Sequence, residues 1–291
     1  MINDAHVHFF STPFFEPVGG QAAIAKLGWD PPGTAEALAD RWVAELDRHQ
    51  VSRAALIASV PPDAASVATA VDRHRSRFVG FFMVDPTQPD AAVNASEAIA
   101  RGGLRGVCLF PAMHRYSIQD ERAQAIFEVA AATAGTTVFV HCGVLSVGVR
   151  GKLGLPSPFD VSFGNPLNLH AVALRHPRVP IIIPHFGAGL FRETLMVADL
   201  CPNILLDTSS SNSWIRYVGL SLAAVFRQAL AVVGPERLLF GSDSSFFPRG
   251  WVGDVHEQQS AALDEIGAST DTREKIFGAN FERLFPPPHQ H

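Results

Sequence analysis

The sequence predicts an α/β protein of the (β/α)8 TIM-barrel class, and three observations carry that prediction. Eight short apolar runs alternate with helix-length segments along the 291 residues. Such alternation builds a parallel sheet with right-handed crossovers. The runs are continuous Val, Ile, Leu and Phe, as expected of strands buried on both faces. Polar residues able to do chemistry fall at or near the C-terminal ends of those runs, where barrel enzymes place their sites. The rival is an open doubly wound sheet; against it, no Gly-x-Gly-x-x-Gly follows the first run and no phosphate loop occurs.

The first strand carries Asp4-Ala5-His6-Val7-His8. Side chains alternate along a strand, so the two histidines share a face, with Cα atoms about 6.5 Å apart. They can converge on one cation, and later residues must complete its shell. Residues 9–33, rich in Pro, Gly and Phe, are expected to form a long irregular loop, which in a compact domain is usually functional. Thr34 caps a helix to about residue 49, with Leu38, Trp42 and Leu46 on one face. A strand over 54–59 leads through Pro61-Pro62-Asp63 into a helix to about residue 75.

The third strand, 78–84, stops at Asp85-Pro86, and a helix over 90–101 ends at Gly102-Gly103. Strand 106–110 stops at Pro111, and a helix over 120–134 precedes strand 137–142. A second long loop spans 143–164. Asn165-Pro166 opens a helix to about residue 175. Strand 181–183 runs on to His185, a helix follows over 190–200, and strand 204–207 leads into the polar segment 208–213. A helix over 214–233 and a strand over 237–241 bring the chain to Asp243. Asp254 with Glu257 resembles a capping box, and two closing helices lead to Leu284. The expected organisation is one domain over 1–285 and a frayed tail over 286–291.

Composition narrows the function. A net charge of -5 argues against nucleic acid held on a basic face. No apolar run reaches the roughly eighteen residues that span a bilayer, and the N-terminus lacks the basic region of a signal peptide. Three cysteines, Cys108, Cys142 and Cys201, fit a reducing cytoplasm better than a disulfide framework. Cys142 would point away from a site built around its neighbour His141, as a small core residue. The expectation is a cytoplasmic protein with a small-molecule substrate and neither nucleic-acid nor membrane partner.

His6, His8, His141, His185 and Asp243 each interrupt an apolar stretch near a strand end, at a burial cost that packing alone does not explain. In order, Asp-Ala-His-Val-His, Val-His-Cys-Gly, Ile-Pro-His-Phe-Gly and Leu-Leu-Phe-Gly-Ser-Asp resemble the amidohydrolase superfamily, and within it the amidohydrolase-2 branch that includes aminocarboxymuconate-semialdehyde decarboxylase. The segments 106–111, 202–208 and 278–284 fit the same branch, so the likeness spans nearly the whole chain. It implies one divalent metal, zinc first and manganese as the alternative, held by His6, His8, His141 and Asp243. His185 would be the catalytic histidine, and Asp243 would both ligate and accept a proton. Relatives with two metals bridge them by a carboxylated lysine ending the fourth strand; Lys26, Lys152 and Lys275 end no strand here, so one metal is expected.

Three imidazoles and a carboxylate suit zinc or manganese, and an open position would make the site catalytic. The leading reading is a metal-dependent hydrolase of a small amide, ester or lactone. The alternative is non-oxidative decarboxylation of an aromatic or muconate-like acid. A third reading is a binding protein without catalysis, which the intact ligand set opposes; a metal-free lactonase is a further variant. Asp4 either hydrogen-bonds neighbouring backbone or orients a ligand histidine. His114 and Arg115 after the fourth strand, Trp214 after the seventh and Arg249 after the eighth are candidate contacts for an anionic or aromatic substrate. Phe9, Phe10, Phe14 and Phe15 either line a pocket or pin the first loop, and the aromatic residues equally allow a homodimer interface.

Overall fold

The computed structural model describes residues 1–209, 214–247 and 249–287. Eight parallel strands pair in sequence order: β1 (Ile2–Phe9), β2 (Val51–Ala58), β3 (Phe78–Val84), β4 (Gly106–Leu109), β5 (Thr137–Val140), β6 (Ile181–Ile183), β7 (Ile204–Asp207) and β8 (Leu238–Leu239). The sheet closes on itself. The Ala5 amide donates to the Phe240 carbonyl at 2.8 Å, the Asp243 amide to His6 at 2.9 Å and the His8 amide to Ser244 at 2.7 Å. This is the (β/α)8 barrel the alternation predicts. Eight helices follow the strands: α1 (Ala35–Arg48), α2 (Ala64–Arg73), α3 (Ala91–Gly102), α4 (Glu121–Ala132), α5 (Leu169–Arg175), α6 (Phe191–Leu200), α7 (Leu222–Val233) and α8 (Gly253–Glu265).

Two apolar layers follow from the strand period. Ala55, Ile57, Phe81, Cys108, Phe139, Ile182, Leu205 and Leu239 fill the barrel interior. Their neighbours Leu56, Phe82, Leu109, Val140, Ile183 and Leu206 pack outward under the helices. Cys142 lies in that outer layer, pointing away from the site as expected. Thr34 and Asp120 cap α1 and α4 through their side chains.

Several expectations are corrected. Residues 9–33 are largely helical, with helices at Thr12–Phe15 and Gly20–Leu27. Pro13 suits the first turn, and the second helix closes on Gly28 at φ 65°. Both have a core to fold against: Phe14, Phe15, Ala23 and Ile24 pack on Val149 and Leu153 from the second long loop, which itself contains a helix at Gly148–Lys152. The helix expected from residue 214 instead starts at Leu222, because Gly219 turns left-handed at φ 67° and Ser221 caps a fresh start. Asp254 forms no capping box, since α8 begins at Gly253 and the acid lies inside its first turn. The polar positions 210–213 and the tail from 288 lie outside the described residues.

Candidate metal centre and its cavity

Two local devices aim the first histidines. In β1, Asp4 to Val7 oppose only Ala54 to Leu56 of β2, which is a β-bulge. Ala5 faces the barrel interior. Strict alternation from it would send His6 and His8 outward, beneath the helices. The extra residue resets the phase, so Val7 joins the outer layer and His6 meets the interior Phe139 ring at 5.1 Å. Gly241 is the second device. A Cβ there would sit 2.5 Å from Asp207 Oδ1 and 2.9 Å from the His6 Cβ.

The hydrogen-bond partners assign the tautomers. His6 Nδ1 lies 2.7 Å from Asp207 Oδ2, while Asp207 Oδ1 accepts the Ser209 amide at 2.7 Å. The carboxylate accepts, so His6 donates from Nδ1, and in the neutral ring Nε2 is a lone pair. His8 Nδ1 lies 2.8 Å from Ser59 Oγ, whose own proton goes to the Ile57 carbonyl at 3.1 Å. His8 therefore also donates from Nδ1 and presents a bare Nε2. The two Nε2 atoms are 3.2 Å apart, and Asp243 Oδ1 lies 3.1 Å from His8 Nε2 and 3.6 Å from His6 Nε2. With both rings neutral, neither imidazole offers a proton to the other or to Asp243 Oδ1. A cation is the partner that satisfies this set, and the three ligand atoms all lie within 4.8 Å of one another.

Electrostatics separate the two rings. Desolvation opposes charge on His6, but the charge and hydrogen bond of Asp207, with Asp243 and Asp4 behind it, raise its proton affinity, so a cation at its Nε2 competes with a proton there. Desolvation lowers that of His8 in spite of Asp243. Desolvation also works against charge on Asp243. The His8 ring beside it, and the positive charge that His6, His185 and His8 bring when protonated, outweigh it and hold the carboxyl below the usual range.

His141 follows β5 directly. Its ring stacks on Phe110 at 5.3 Å and meets His185 edge-on at 5.2 Å. Its Nδ1 is buried with no hydrogen-bond partner among the described residues, and burial, then His185 and His6, push its proton affinity far down. It stands outside the His6, His8 and Asp243 trio. His185 comes two residues after β6 in a left-handed turn, φ 56°, with Phe186 at φ 49°. Asp243 shares that conformation at φ 56°. Residues other than glycine avoid it, and such outliers gather at functional sites. His185 Nδ1 donates to the Ser209 carbonyl at 3.0 Å, leaving Nε2 bare, and burial lowers its proton affinity.

Over these groups lies a cavity of about 240 Å³. Its walls include Phe10, Phe14, Trp29, Phe110, Met113 and Phe246, and Lys152 and Arg249 supply its cations. Phe10 stacks on Phe14 at 3.6 Å, and Trp29 on Phe246 at 3.8 Å.

A profile of the amidohydrolase family matches residues 3–286. The chain belongs to the amidohydrolase family. No curated protein matches the sequence. Solved structures share its fold at low identity. One, described as a probable 2-pyrone-4,6-dicarboxylic acid hydrolase from Acinetobacter baumannii, aligns with a TM-score of 0.64 at 16% identity over 98% of each chain. A 5-carboxyvanillate decarboxylase from Novosphingobium aromaticivorans, with bound manganese, gives 0.65 at 14% identity over 98% of this chain and 97% of its own. An amidohydrolase from Burkholderia multivorans with bound zinc gives 0.62 at 16% identity over 99% of this chain and 100% of its own. Such identities speak for the fold alone. Hydrolases and decarboxylases thus both occur on this amidohydrolase scaffold, with zinc or manganese.

The amidohydrolase chain brings His6, His8 and Asp243 together, with His141 and His185 lining the same cavity. Of the substrate candidates, only Arg249 lines it, its guanidinium 5.5 Å from the Phe246 ring. Arg115 is exposed and donates to the Pro158 carbonyl at 2.9 Å. His114 is not among the cavity-lining residues; burial lowers its proton affinity, with Asp85 acting the other way. Trp214 is buried against Phe186 and Phe191. Phe10 and Phe14 line the cavity, whereas Phe9 is core and Phe15 anchors the roof. Asp4 bonds the backbone of His6 and Ser242 rather than an imidazole. Burial raises its carboxyl to about 6, against the hydrogen bonds it accepts. Sequence reasoning passed over Asp207, Ser59, Ser209 and Lys152. Asp207 had a signal: like the histidines, it ends an apolar run.

Proposed function

We propose a metal-dependent hydrolase of a small lactone, ester or amide that carries a carboxylate. The observation that supports it is the set of inward-facing acceptors on His6, His8 and Asp243, with a bare His185 Nε2 in the same cavity. His6, His8 and Asp243 would hold one zinc or manganese ion, with His141, whose buried Nδ1 has no partner among the described residues, as fourth ligand. Such an ion supplies Lewis acidity and lowers the pKa of water towards roughly 7. Asp207 and Ser59 fix the tautomers that present both Nε2 atoms. His185 Nε2 accepts the proton of the attacking water, and Ser209 keeps that ring oriented. Lys152 and Arg249, neither with an acidic partner among the described residues, bind the substrate's carboxylate at the mouth, and the stacked aromatics flank its apolar part.

A second reading, decarboxylation of an aromatic acid, draws on the same cations and aromatic walls. Turnover of a panel of lactones and aromatic acids in heavy-oxygen water separates the two. Solvent oxygen in the product supports hydrolysis. Carbon dioxide release without oxygen incorporation overturns it in favour of decarboxylation.

A further inference from the structure

The buried carboxylate of Asp4 has no part in the chemistry above, yet it gathers four donors. Its Oδ1 accepts the amides of His6 at 2.9 Å and Ser242 at 3.0 Å. Its Oδ2 accepts Ser242 Oγ at 2.5 Å and Trp251 Nε1 at 2.7 Å. One oxygen thus ties the strand carrying both imidazoles to the residue before Asp243. On the other side of Asp243, Ser244 Oγ lies 2.6 Å from Ser242 Oγ and accepts the Val252 amide at 2.9 Å, while the Ser244 carbonyl accepts the His8 amide. Trp251 is itself anchored from outside the barrel, its amide donating to Glu45 Oε1 of α1 at 2.8 Å.

Asp243 therefore hangs in a left-handed turn whose two flanks are both clamped to β1. The clamp has mechanical work to do, because a cation needs two imidazole lone pairs and the Asp243 carboxylate held at one spacing. A loop free to retreat would carry the carboxylate away from the imidazoles. We propose that Asp4, steadied by Trp251, is a positioning residue that sets the spacing between the imidazoles of β1 and the Asp243 carboxylate, and so sets metal affinity. This rests on the metal centre proposed above.

The test uses the full chain and zinc, with affinity read by competition against a chromophoric chelator and the unfolding midpoint read on metal-free protein. Trp251→Phe keeps an aromatic ring but removes one donor to Asp4; Asp4→Asn reverses one acceptor. Both should weaken zinc about tenfold or more, the usual range for residues that orient ligands. Phe127→Leu, in the outer core on α4 and remote from this network, is the control for destabilisation. It should leave affinity within about twofold at a comparable fall in midpoint. Ser242→Thr, which keeps the hydroxyl, should bind zinc more tightly than Ser242→Ala. If Asp4→Asn fails to fold, Trp251→Phe decides. Wild-type affinity in Trp251→Phe, or a loss matched by Phe127→Leu, overturns the proposal while leaving the metal centre standing. A wild-type chain that takes up no zinc, or a His6→Ala variant that keeps it, overturns the centre and this inference with it.

Discussion

Asp207→Asn is the sharpest perturbation of the centre, because it preserves shape and reverses one hydrogen bond. In the wild type, Asp207 Oδ1 accepts the Ser209 amide at 2.7 Å and Oδ2 accepts from His6 Nδ1 at 2.7 Å. An asparagine must keep its oxygen towards the Ser209 amide, which turns its NH2 towards His6. A donor there forces the ring proton from Nδ1 to Nε2, the atom that faces His8 and Asp243. Binding a cation then requires the proton to return to Nδ1 against the new donor. Ser209 Oγ, 2.9 Å from His6 Nδ1, can accept it and limits the penalty. The expected loss is about 10- to 100-fold in metal affinity, or roughly 1.4–2.7 kcal/mol. Chelator competition with zinc and with manganese measures it, and circular dichroism checks that the variant is folded. An asparagine variant binding either ion as tightly as the wild type would refute the tautomer argument.

Four further outcomes are expected. Gly241→Ala drives a methyl into Asp207 Oδ1 and the His6 Cβ, so it should lower metal affinity together with about 1–3 kcal/mol of stability; unchanged affinity would show the contact to be idle. His185→Ala should keep metal and lose about 10²–10⁴ in turnover, the usual contribution of a general base; metal loss equal to that of His6→Ala or Asp243→Ala would make it a ligand instead. Lys152→Ala should raise KM for an anionic substrate about tenfold without altering bound metal, an estimate for one lost charge-assisted contact. In metal-free protein, burial pushes the Asp4 carboxyl up to about 6 in the folded chain, against 3.8 for an exposed aspartate. The folded chain keeps that proton to higher pH, so this contribution to stability is complete below about 3.8 and lost as pH rises through 6, on the order of 3 kcal/mol. Unfolding midpoints across that window should lose this slope in Asp4→Asn.

The strands and their order were legible because each is a continuous apolar run, and a run buried on both faces has few other homes. His6, His8, His141, His185 and Asp243 were legible as interruptions of those runs. What escaped was whatever depends on contacts between distant segments. The helix at Gly20–Leu27 has no signal of its own strong enough to outweigh neighbouring Gly and Pro; it forms because Val149 and Leu153 offer it a surface. The β-bulge at Ala5-His6 is invisible in a period-two reading, which reached the right face for His8 by assuming an alternation that β1 breaks. Trp214 looked like a rim aromatic from position alone, but it is packed behind the sixth strand's turn. Trp251 spends its indole N–H on Asp4, a contact that no local pattern announces.

The protonation pattern bears on which reaction the cavity suits. His8, His141 and His185 all have their proton affinity lowered, each chiefly by burial. Only His6, held by Asp207, is pushed the other way. At neutral pH the cavity is therefore rich in imidazole lone pairs and poor in transferable protons. Hydrolysis begins by taking a proton from water, which a bare His185 Nε2 can do without first losing one. Decarboxylation ends by delivering a proton to carbon, and a histidine in this setting must first acquire that proton against its own desolvation. Burial thus leaves His185 at rest in the protonation state that a general base requires, while making it a weaker base, because the imidazolium it becomes bears the same desolvation cost. That resting state is why we place the hydrolase reading ahead of the carboxy-lyase one.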